Sequence, residues 1–221
     1  MQLSGNLKLG LIAFLLADLL LVAIFVSAYL IRSERQEALE LRELGVTIFP
    51  QPRPVEAFEL VDQYGGAFTL HNLQERWSLL FFGFTSCPDI CPLTLAELGQ
   101  FYALQQENGS ANLPQVVLVT VDPERDNPAT MALYLESFHE DFIGLSGDKE
   151  ALSALAEQMY VVANATVHGD LGAATNSAQD YQINHSGHIS VINPAGELYA
   201  VLRLPHRDKD LLTAYQILLG N

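Results

Sequence analysis

The chain has 221 residues, 26 of them acidic and 11 basic, which gives a formal net charge of −15 at pH 7. A chain this acidic repels polyanions, so we predict no nucleic-acid partner. With 49% hydrophobic residues, the chain is long enough for a membrane segment and one domain with a hydrophobic core.

An apolar stretch at residues 9–31 follows a short tail, residues 1–8. A helix needs about 20 apolar residues to cross a bilayer, whereas the apolar part of a signal peptide has about 7–15. We therefore predict a single transmembrane anchor, with cleavage after Ala28 as the alternative. Lys8 precedes the stretch and three arginines follow it within residues 32–42, so the positive-inside rule does not favour an exported domain.

Residues 32–54 are predicted to form a charged helical stalk and then a linker, because Pro50, Pro52 and Pro54 interrupt regular structure. The folded domain is predicted to span residues 55–221. Apolar runs in it predict strands, and helix-forming segments between them predict helices. The predicted strands are 58–61, 67–70, 77–84, 116–121, 142–145, 188–192 and 198–202, and the predicted helices are 93–107, 129–139, 149–160 and 208–219.

Strands and helices alternate in an order that is typical of an α/β layered sheet. A β-α-β half followed by a β-β-α half is the order expected of a thioredoxin-like domain. The predicted fold class is therefore α/β, thioredoxin-like, with an N-terminal transmembrane helix. Between the two halves, residues 164–180 are polar and predict an exposed insertion.

The two cysteines of the chain, Cys87 and Cys91, lie four positions apart, and each is followed by a proline. They fall where a predicted strand ends and a helix begins, in a loop predicted to be non-helical, where backbone N–H groups and the helix dipole stabilise thiolates. Two thiolates so close can hold a soft metal ion or exchange with a disulfide. A static disulfide or two inert thiols are the alternatives, but a static disulfide would close a very short loop and stabilise little.

A metal site needs a third ligand, and His185 and His188 lie at the start of the predicted strand 188–192, which the fold places beside the cysteines. Two thiolates and one imidazole form a soft set that suits Cu(I), and also Cu(II) or zinc. Copper is the preferred prediction. The other histidines are predicted to have surface or capping roles: His71, His139, His168 and His206.

Four segments closely resemble the SCO/SenC proteins, the copper chaperones for cytochrome c oxidase assembly. They are residues 77–92 (WSLLFFGFTSCPDICP), 121–126 (VDPERD), 180–186 (DYQINHS) and 193–196 (NPAG). The resemblance implies a thioredoxin-like fold in which Cys87, Cys91 and His185 bind one copper ion. It further implies that oxidation of the two cysteines to a disulfide switches binding off.

The resemblance also implies a destination for the copper, namely the dinuclear copper site of cytochrome c oxidase subunit II. That places the protein in a bacterial-type inner (plasma) membrane, single-pass, with the soluble domain on the periplasmic or outer face. Asn184 stands where relatives often have an Asp that can accept the second imidazole N–H. Three further residues are candidates for contacts around the metal: Asp89, Asp122 and His188.

Other functions use the same cysteine pair. In a thiol-disulfide oxidoreductase, Cys87 and Cys91 would be the catalytic redox pair and would keep another protein's cysteines reduced. Against this, thioredoxin-type reductases place a proline before the strand that faces the cysteines, whereas here that loop holds residues 185–188. A one-cysteine peroxidase and a purely structural anchor protein are weaker alternatives. The protein is therefore predicted to be a metallochaperone, with thiol-disulfide oxidoreductase activity as the alternative that would make it an enzyme.

Overall fold

The computed structural model describes residues 5–110, 112–167 and 181–220. The chain divides into two units, Met1–Glu43 and Leu44–Asn221. The first contains one helix, α1 (Gly5–Glu43), which runs without interruption from the predicted anchor into the charged stalk. Its apolar part is long enough to cross a membrane, which is consistent with an anchor or with a signal sequence.

The second unit is an α/β domain whose elements follow the predicted order closely. Its strands are β1 (Val46–Pro54), β2 (Glu59–Asp62), β3 (Ala67–Thr69), β4 (Ser78–Gly83), β5 (Gln115–Thr120), β6 (Ile143–Ser146), β7 (Ala163–Val167), β8 (Tyr181–His185), β9 (Ile189–Ile192) and β10 (Glu197–Leu202). Its helices are α2 (Ile90–Glu107), α3 (Pro128–Glu136), α4 (Lys149–Gln158) and α5 (Asp208–Leu219), with a short 3₁₀ turn at Leu70–Leu73.

Eight strands form one sheet in the order β1-β10-β9-β4-β5-β6-β2-β3, and β7 pairs with β8 separately. The central strands β4, β5 and β6 run parallel, while β9 is antiparallel to β4 and β10 antiparallel to β9. The β-α-β half is β4-α2-β5, and the β-β-α half is β9-β10-α5. The predicted thioredoxin-like order is therefore present.

The proline-containing segment differs from the prediction of a linker. Residues 46–54 form strand β1, which pairs antiparallel with β10 and belongs to the domain. Two of the three prolines fall between Ile48 and Arg53, where the register of pairing shifts. Because β1 is an edge strand, its prolines remove few ladder hydrogen bonds, which is how sheets accommodate this residue.

Strand β4 leads directly to the cysteines, and all six of its residues are buried. Alternate side chains point to opposite faces of a strand. On one face, Leu80 and Phe82 join a buried cluster with Leu155 of helix α4. On the other face, Phe81 and Gly83 point toward the cysteine segment. A strand buried on both faces is rigid, and it fixes the position from which the cysteine loop departs.

The predicted insertion at residues 164–180 is described in part. Its first residues belong to β7, whose partner β8 ends at His185. Residues 168–180, which include His168, lie outside the described part of the chain. The strand pair therefore brings His185 back to the main sheet immediately before β9 begins.

Candidate metal centre

The sulfur atoms of Cys87 and Cys91 and a ring nitrogen of His185 converge. The ligand atoms of these three residues all lie within 4.8 Å of one another, although 94 positions separate Cys91 from His185 along the chain. Cys91 Sγ lies 3.5 Å from His185 Nε2. Among the described residues, this is the group of His, Cys, Asp and Glu side chains that could hold a metal ion.

Helix α2 positions Cys91 in its first turn. The helix begins at Ile90, so Cys91 is helical, whereas the sequence predicted a non-helical loop. Pro92 is tolerated because the first N–H groups of a helix have no intrahelical acceptor. The Cys91 side chain is fully buried beneath the end of β4, where a Cβ atom on Gly83 would lie 2.9 Å from Cys91 Sγ. Glycine at position 83 therefore leaves the space that the sulfur occupies.

Burial has an electrostatic consequence for Cys91. It raises the pKa of the Cys91 thiol far above its ordinary value, and the hydrogen bond with Cys87 raises the pKa further. The sequence predicted a thiolate stabilised by the helix N-terminus, but desolvation of the charge outweighs that effect here. Without metal, Cys91 is therefore a neutral thiol, and a metal ion must displace its proton to bind.

Cys87 precedes the helix and is only half-buried. Its backbone N–H donates to the Phe84 carbonyl at 3.2 Å, which turns the chain back on leaving β4. The neighbouring residues Ser86 and Pro88 are exposed. The cysteine pair thus has one fully buried residue, Cys91, and one partly exposed residue, Cys87.

His185 closes the site from the other side. Its Nδ1 lies 3.0 Å from the Ser186 carbonyl, so Nδ1 carries the proton and Nε2 presents its lone pair toward Cys91. The rings of Phe81 and Phe84 meet it edge-on, with centroids 6.1 and 5.9 Å away. Burial lowers the pKa of His185 and keeps the imidazole neutral, as a ligand must be.

The Ser186 carbonyl accepts the second imidazole N–H of His185, the role expected of an Asp side chain at position 184. A metal-bound imidazole usually donates its second N–H to a carboxylate or a carbonyl, which fixes the ring and raises its basicity. The side chain of Asn184 lies outside the described part of the structure. The backbone acceptor is available whichever side chain stands at position 184.

The three other candidate residues lie outside this group of ligand atoms. Asp89 is exposed at the N-cap of α2 and makes no side-chain cap hydrogen bond. Asp122 is buried and forms an ion pair with Arg125. His188 Nε2 lies 2.9 Å from the Met159 carbonyl. The structure therefore gives Asp122 and His188 partners within the fold.

Comparison with known proteins agrees with this geometry. The SCO1/SenC family model matches residues 49–218. The chain belongs to the SCO1/SenC family. A Stutzerimonas stutzeri protein named for copper binding is 34% identical over 188 residues, which cover 85% of this chain and 87% of that protein.

Solved Sco structures support the same assignment. Arabidopsis thaliana ScoI with copper bound is 30% identical, has a TM-score of 0.64, and matches 74% of this chain and 98% of its own. BsSco, described as a member of the Sco family of cytochrome c oxidase assembly proteins with a disulfide switch, is 20% identical with a TM-score of 0.52. It matches 70% of this chain and 85% of its own, and at that identity it supports the fold alone.

Sequence reasoning missed a buried carboxylate that holds the cysteine loop of this Sco-family protein. Asp126 is fully buried and accepts hydrogen bonds from Thr85 N–H at 3.0 Å, Thr85 Oγ1 at 2.5 Å and Thr120 Oγ1 at 2.7 Å. Thr85 stands two residues before Cys87. The order of the strands could have indicated it, because Asp126 follows β5 and β5 is the parallel neighbour of β4, the strand that leads to the cysteines.

The predicted surface or capping role of His206 is wrong. The residue is 8% exposed, and its Nε2 lies 2.8 Å from the Gly187 carbonyl, two residues after His185. Nothing in the local sequence signals this burial, because the surrounding residues are mostly polar or exposed. By contrast, His139 accepts from the Asp141 N–H at 3.1 Å, and His71 is exposed near Gln74, which fits the predicted roles.

Proposed function

We propose that this protein is a membrane-anchored copper chaperone that delivers copper to the dinuclear copper site of cytochrome c oxidase subunit II. The convergence of Cys87, Cys91 and His185 carries the proposal. Two sulfurs and one imidazole nitrogen are a soft, low-coordinate set that suits copper. The copper-bound Arabidopsis homologue supports copper as the ion. Membership of the SCO1/SenC family, described as cytochrome c oxidase assembly proteins, supports a role in oxidase assembly.

The unequal burial of Cys87 and Cys91 suits a site that takes up copper and then releases it. A three-ligand site leaves a coordination position open to an incoming ligand, so copper can pass to another protein by stepwise exchange. Half-buried Cys87 offers the exposed edge of the site, whereas Cys91 and His185 hold the ion from within. The raised pKa of Cys91 means that binding releases a proton, so acid favours release.

Oxidation of Cys87 and Cys91 to a disulfide would switch copper binding off. Forming a Cys87–Cys91 disulfide removes two protons and two electrons, which an external thiol-disulfide partner must accept. Both sulfur ligands are consumed in that bond, and only His185 would remain. Copper binding therefore requires the reduced pair.

The apolar helix α1 supports a location at a membrane, because it is long enough to serve as an anchor. We infer a single pass through a bacterial-type inner membrane, with the domain on the periplasmic or outer face where the proposed acceptor site lies. The distribution of Lys and Arg does not favour that orientation. Accessibility of Cys87 to a membrane-impermeant thiol reagent in intact cells tests it directly, and labelling only after lysis would contradict an outer location.

Copper titration of the reduced full-length protein in detergent tests the central proposal. We expect one Cu(I) per chain, and loss of stoichiometric binding when Cys87 and Cys91 are both replaced by Ser. His185→Ala should weaken binding at least about 100-fold, since even groups that merely orient a ligand contribute about 10–100-fold. His71→Ala, at an exposed histidine, is the matched control. Tight binding by the double Ser variant would contradict the proposal.

A second function, thiol-disulfide oxidoreductase, draws support from the unequal depth of the cysteines. A half-buried Cys87 beside a fully buried Cys91 resembles an attacking thiol with its resolving partner. His185→Ala separates the two functions, because it should cripple copper binding and leave disulfide exchange largely intact. Rapid reduction of a protein disulfide by copper-free protein would favour the oxidoreductase.

A further inference from the structure

We propose that His206 is a positioning residue for the third metal ligand, holding the loop of residues 186–188 so that His185 faces the cysteines. This inference rests on the proposed copper-binding function. The observation that carries it is the hydrogen bond from His206 Nε2 to the Gly187 carbonyl, 2.8 Å long, made by a side chain that is only 8% exposed. A buried imidazole that donates to a loop carbonyl restrains that loop more than water would.

The bonded carbonyl lies one peptide from the group that orients His185. The Ser186 carbonyl accepts the His185 Nδ1–H, and the Gly187 carbonyl is the next along the chain. The Gly187 carbonyl belongs to the planar Gly187–His188 peptide, which meets the Ser186–Gly187 peptide at the Cα atom of Gly187, so its hydrogen bond anchors the backbone unit next to the one that holds His185. His206 therefore restrains the loop one peptide beyond the Ser186 carbonyl, which sets the tautomer and the direction of His185.

The loop is bonded on its other side as well. Ser186 N–H donates to the Val162 carbonyl at 3.0 Å, and Val162 N–H donates to Ser186 Oγ at 3.1 Å. His188 Nε2 donates to the Met159 carbonyl at 2.9 Å. These bonds all tie the loop to the residues after helix α4. His206, which lies just before α5, supplies a hydrogen bond from a different part of the chain.

His206 also lies close to the helix that carries Cys91. Glu97 of helix α2 accepts the Asp208 N–H at 2.7 Å, at the start of α5, and it interacts electrostatically with His206. At Gly187 the loop packs closely on its neighbours, since a Cβ atom there would lie 2.8 Å from Ile90 Cδ1 and 2.7 Å from Leu204 Cδ1. The loop is therefore seated on the first residue of α2, and His206 holds it there.

Copper release from the full-length protein in detergent tests this role. Wild type, His206→Leu, His206→Gln and the exposed control His71→Gln are loaded with one equivalent of Cu(I), and transfer to the chelator bicinchoninate is followed by absorbance. Leu removes the donor, so we expect release about 3–10-fold faster, at or below the usual effect of an outer partner. Gln places an amide N–H near the position of Nε2, and it should restore release to nearly the wild-type rate.

A spectroscopic readout separates positioning from stability. In the Cu(II)-loaded protein, the thiolate charge-transfer band and the copper EPR spectrum should change in folded His206→Leu and remain wild-type in His206→Gln. If folded His206→Leu releases copper at the wild-type rate and has wild-type spectra, only the positioning role of His206 is overturned. If the wild-type protein itself fails to bind copper, the proposed function is contradicted.

Should His206→Leu fail to fold, hydrogen exchange in the wild-type protein provides the test. Copper binding and loop position are linked, so loading with Cu(I) should slow exchange of the His206 Nε2 proton measured by NMR. Equal exchange with and without Cu(I) would overturn the inference.

Discussion

Cys87 and Cys91 lie on a stretch that runs from a fully buried strand into a helix, whereas His185 ends a strand pair that lies outside the main sheet. The cysteine half of the site is thus built into the core. The histidine half is held against the core by hydrogen bonds with Met159, whose carbonyl accepts, and with Val162 and His206, which donate. This difference indicates that changes to the cysteine half should cost folding stability together with copper binding. Changes to the histidine half should mainly affect copper binding and cost less folding stability.

The largest effect is expected at Asp126, which anchors the cysteine half. Asp126→Ala leaves the buried donors on Thr85 and Thr120 without their acceptor and should cost about 3 kcal/mol of unfolding free energy. Urea unfolding of the reduced protein measures the loss. Asp89→Ala, at an exposed cap with no side-chain hydrogen bond, is the matched control and should change stability by less than about 0.5 kcal/mol. Equal effects of the two substitutions would contradict the anchoring role.

Gly83→Ala should come next, since it crowds the sulfur of Cys91. The new Cβ would lie 2.9 Å from Cys91 Sγ, 3.1 Å from Phe81 and 3.2 Å from Leu118. Overpacking of this kind costs about 1–3 kcal/mol, and copper affinity should fall with it. Repeating the substitution in a Cys91→Ala background removes the sulfur, so the cost should shrink there. An undiminished cost would show that the crowding involves Phe81 and Leu118 instead.

The contrast between the two halves also explains what the sequence could predict. Cys87 and Cys91 lie four positions apart in the chain, and the apolar run before them predicts the strand that positions them. The convergence of His185 requires a tertiary arrangement that spacing does not contain, so family resemblance was needed to single it out. Asp126 and His206 look like surface residues in their local sequence, because burial of a polar side chain depends on partners distant in the chain. The prolines of β1 predict a linker unless the edge position of that strand is known.

Gly187→Ala probes the histidine half with a smaller cost in stability. Its Cβ would meet Leu204 Cδ1 at 2.7 Å and Ile90 Cδ1 at 2.8 Å, and both are ends of flexible side chains. We therefore expect a loss of about 1 kcal/mol or less in urea unfolding, but a measurable fall in Cu(I) affinity as the loop shifts. Leu204→Ala should relieve part of that fall. Unchanged copper affinity in Gly187→Ala would mean that the seating of the loop on α2 does not control His185.

The smallest effect is a pH dependence confined to the histidine half. Burial lowers the pKa of both His185 and His206; for His206, nearby His188 also lowers the pKa while Glu97 raises it. In the unfolded chain the pKa of a histidine is about 6.5. Because the two histidines have lower pKa values in the folded protein, unfolding takes up protons as the pH falls below that value. The copper-free protein should therefore lose stability from pH 7.5 toward pH 5.

His206→Gln assigns part of that slope. Glutamine does not titrate, so urea unfolding of copper-free His206→Gln should depend less steeply on pH than wild type. A residual slope should remain, because His185 is still buried and neutral in the folded state. His185→Gln in the same background should flatten the curve further. A slope unchanged in both variants would mean that the acid sensitivity arises elsewhere in the domain, and that the histidine half contributes to copper binding without contributing to the pH dependence of folding.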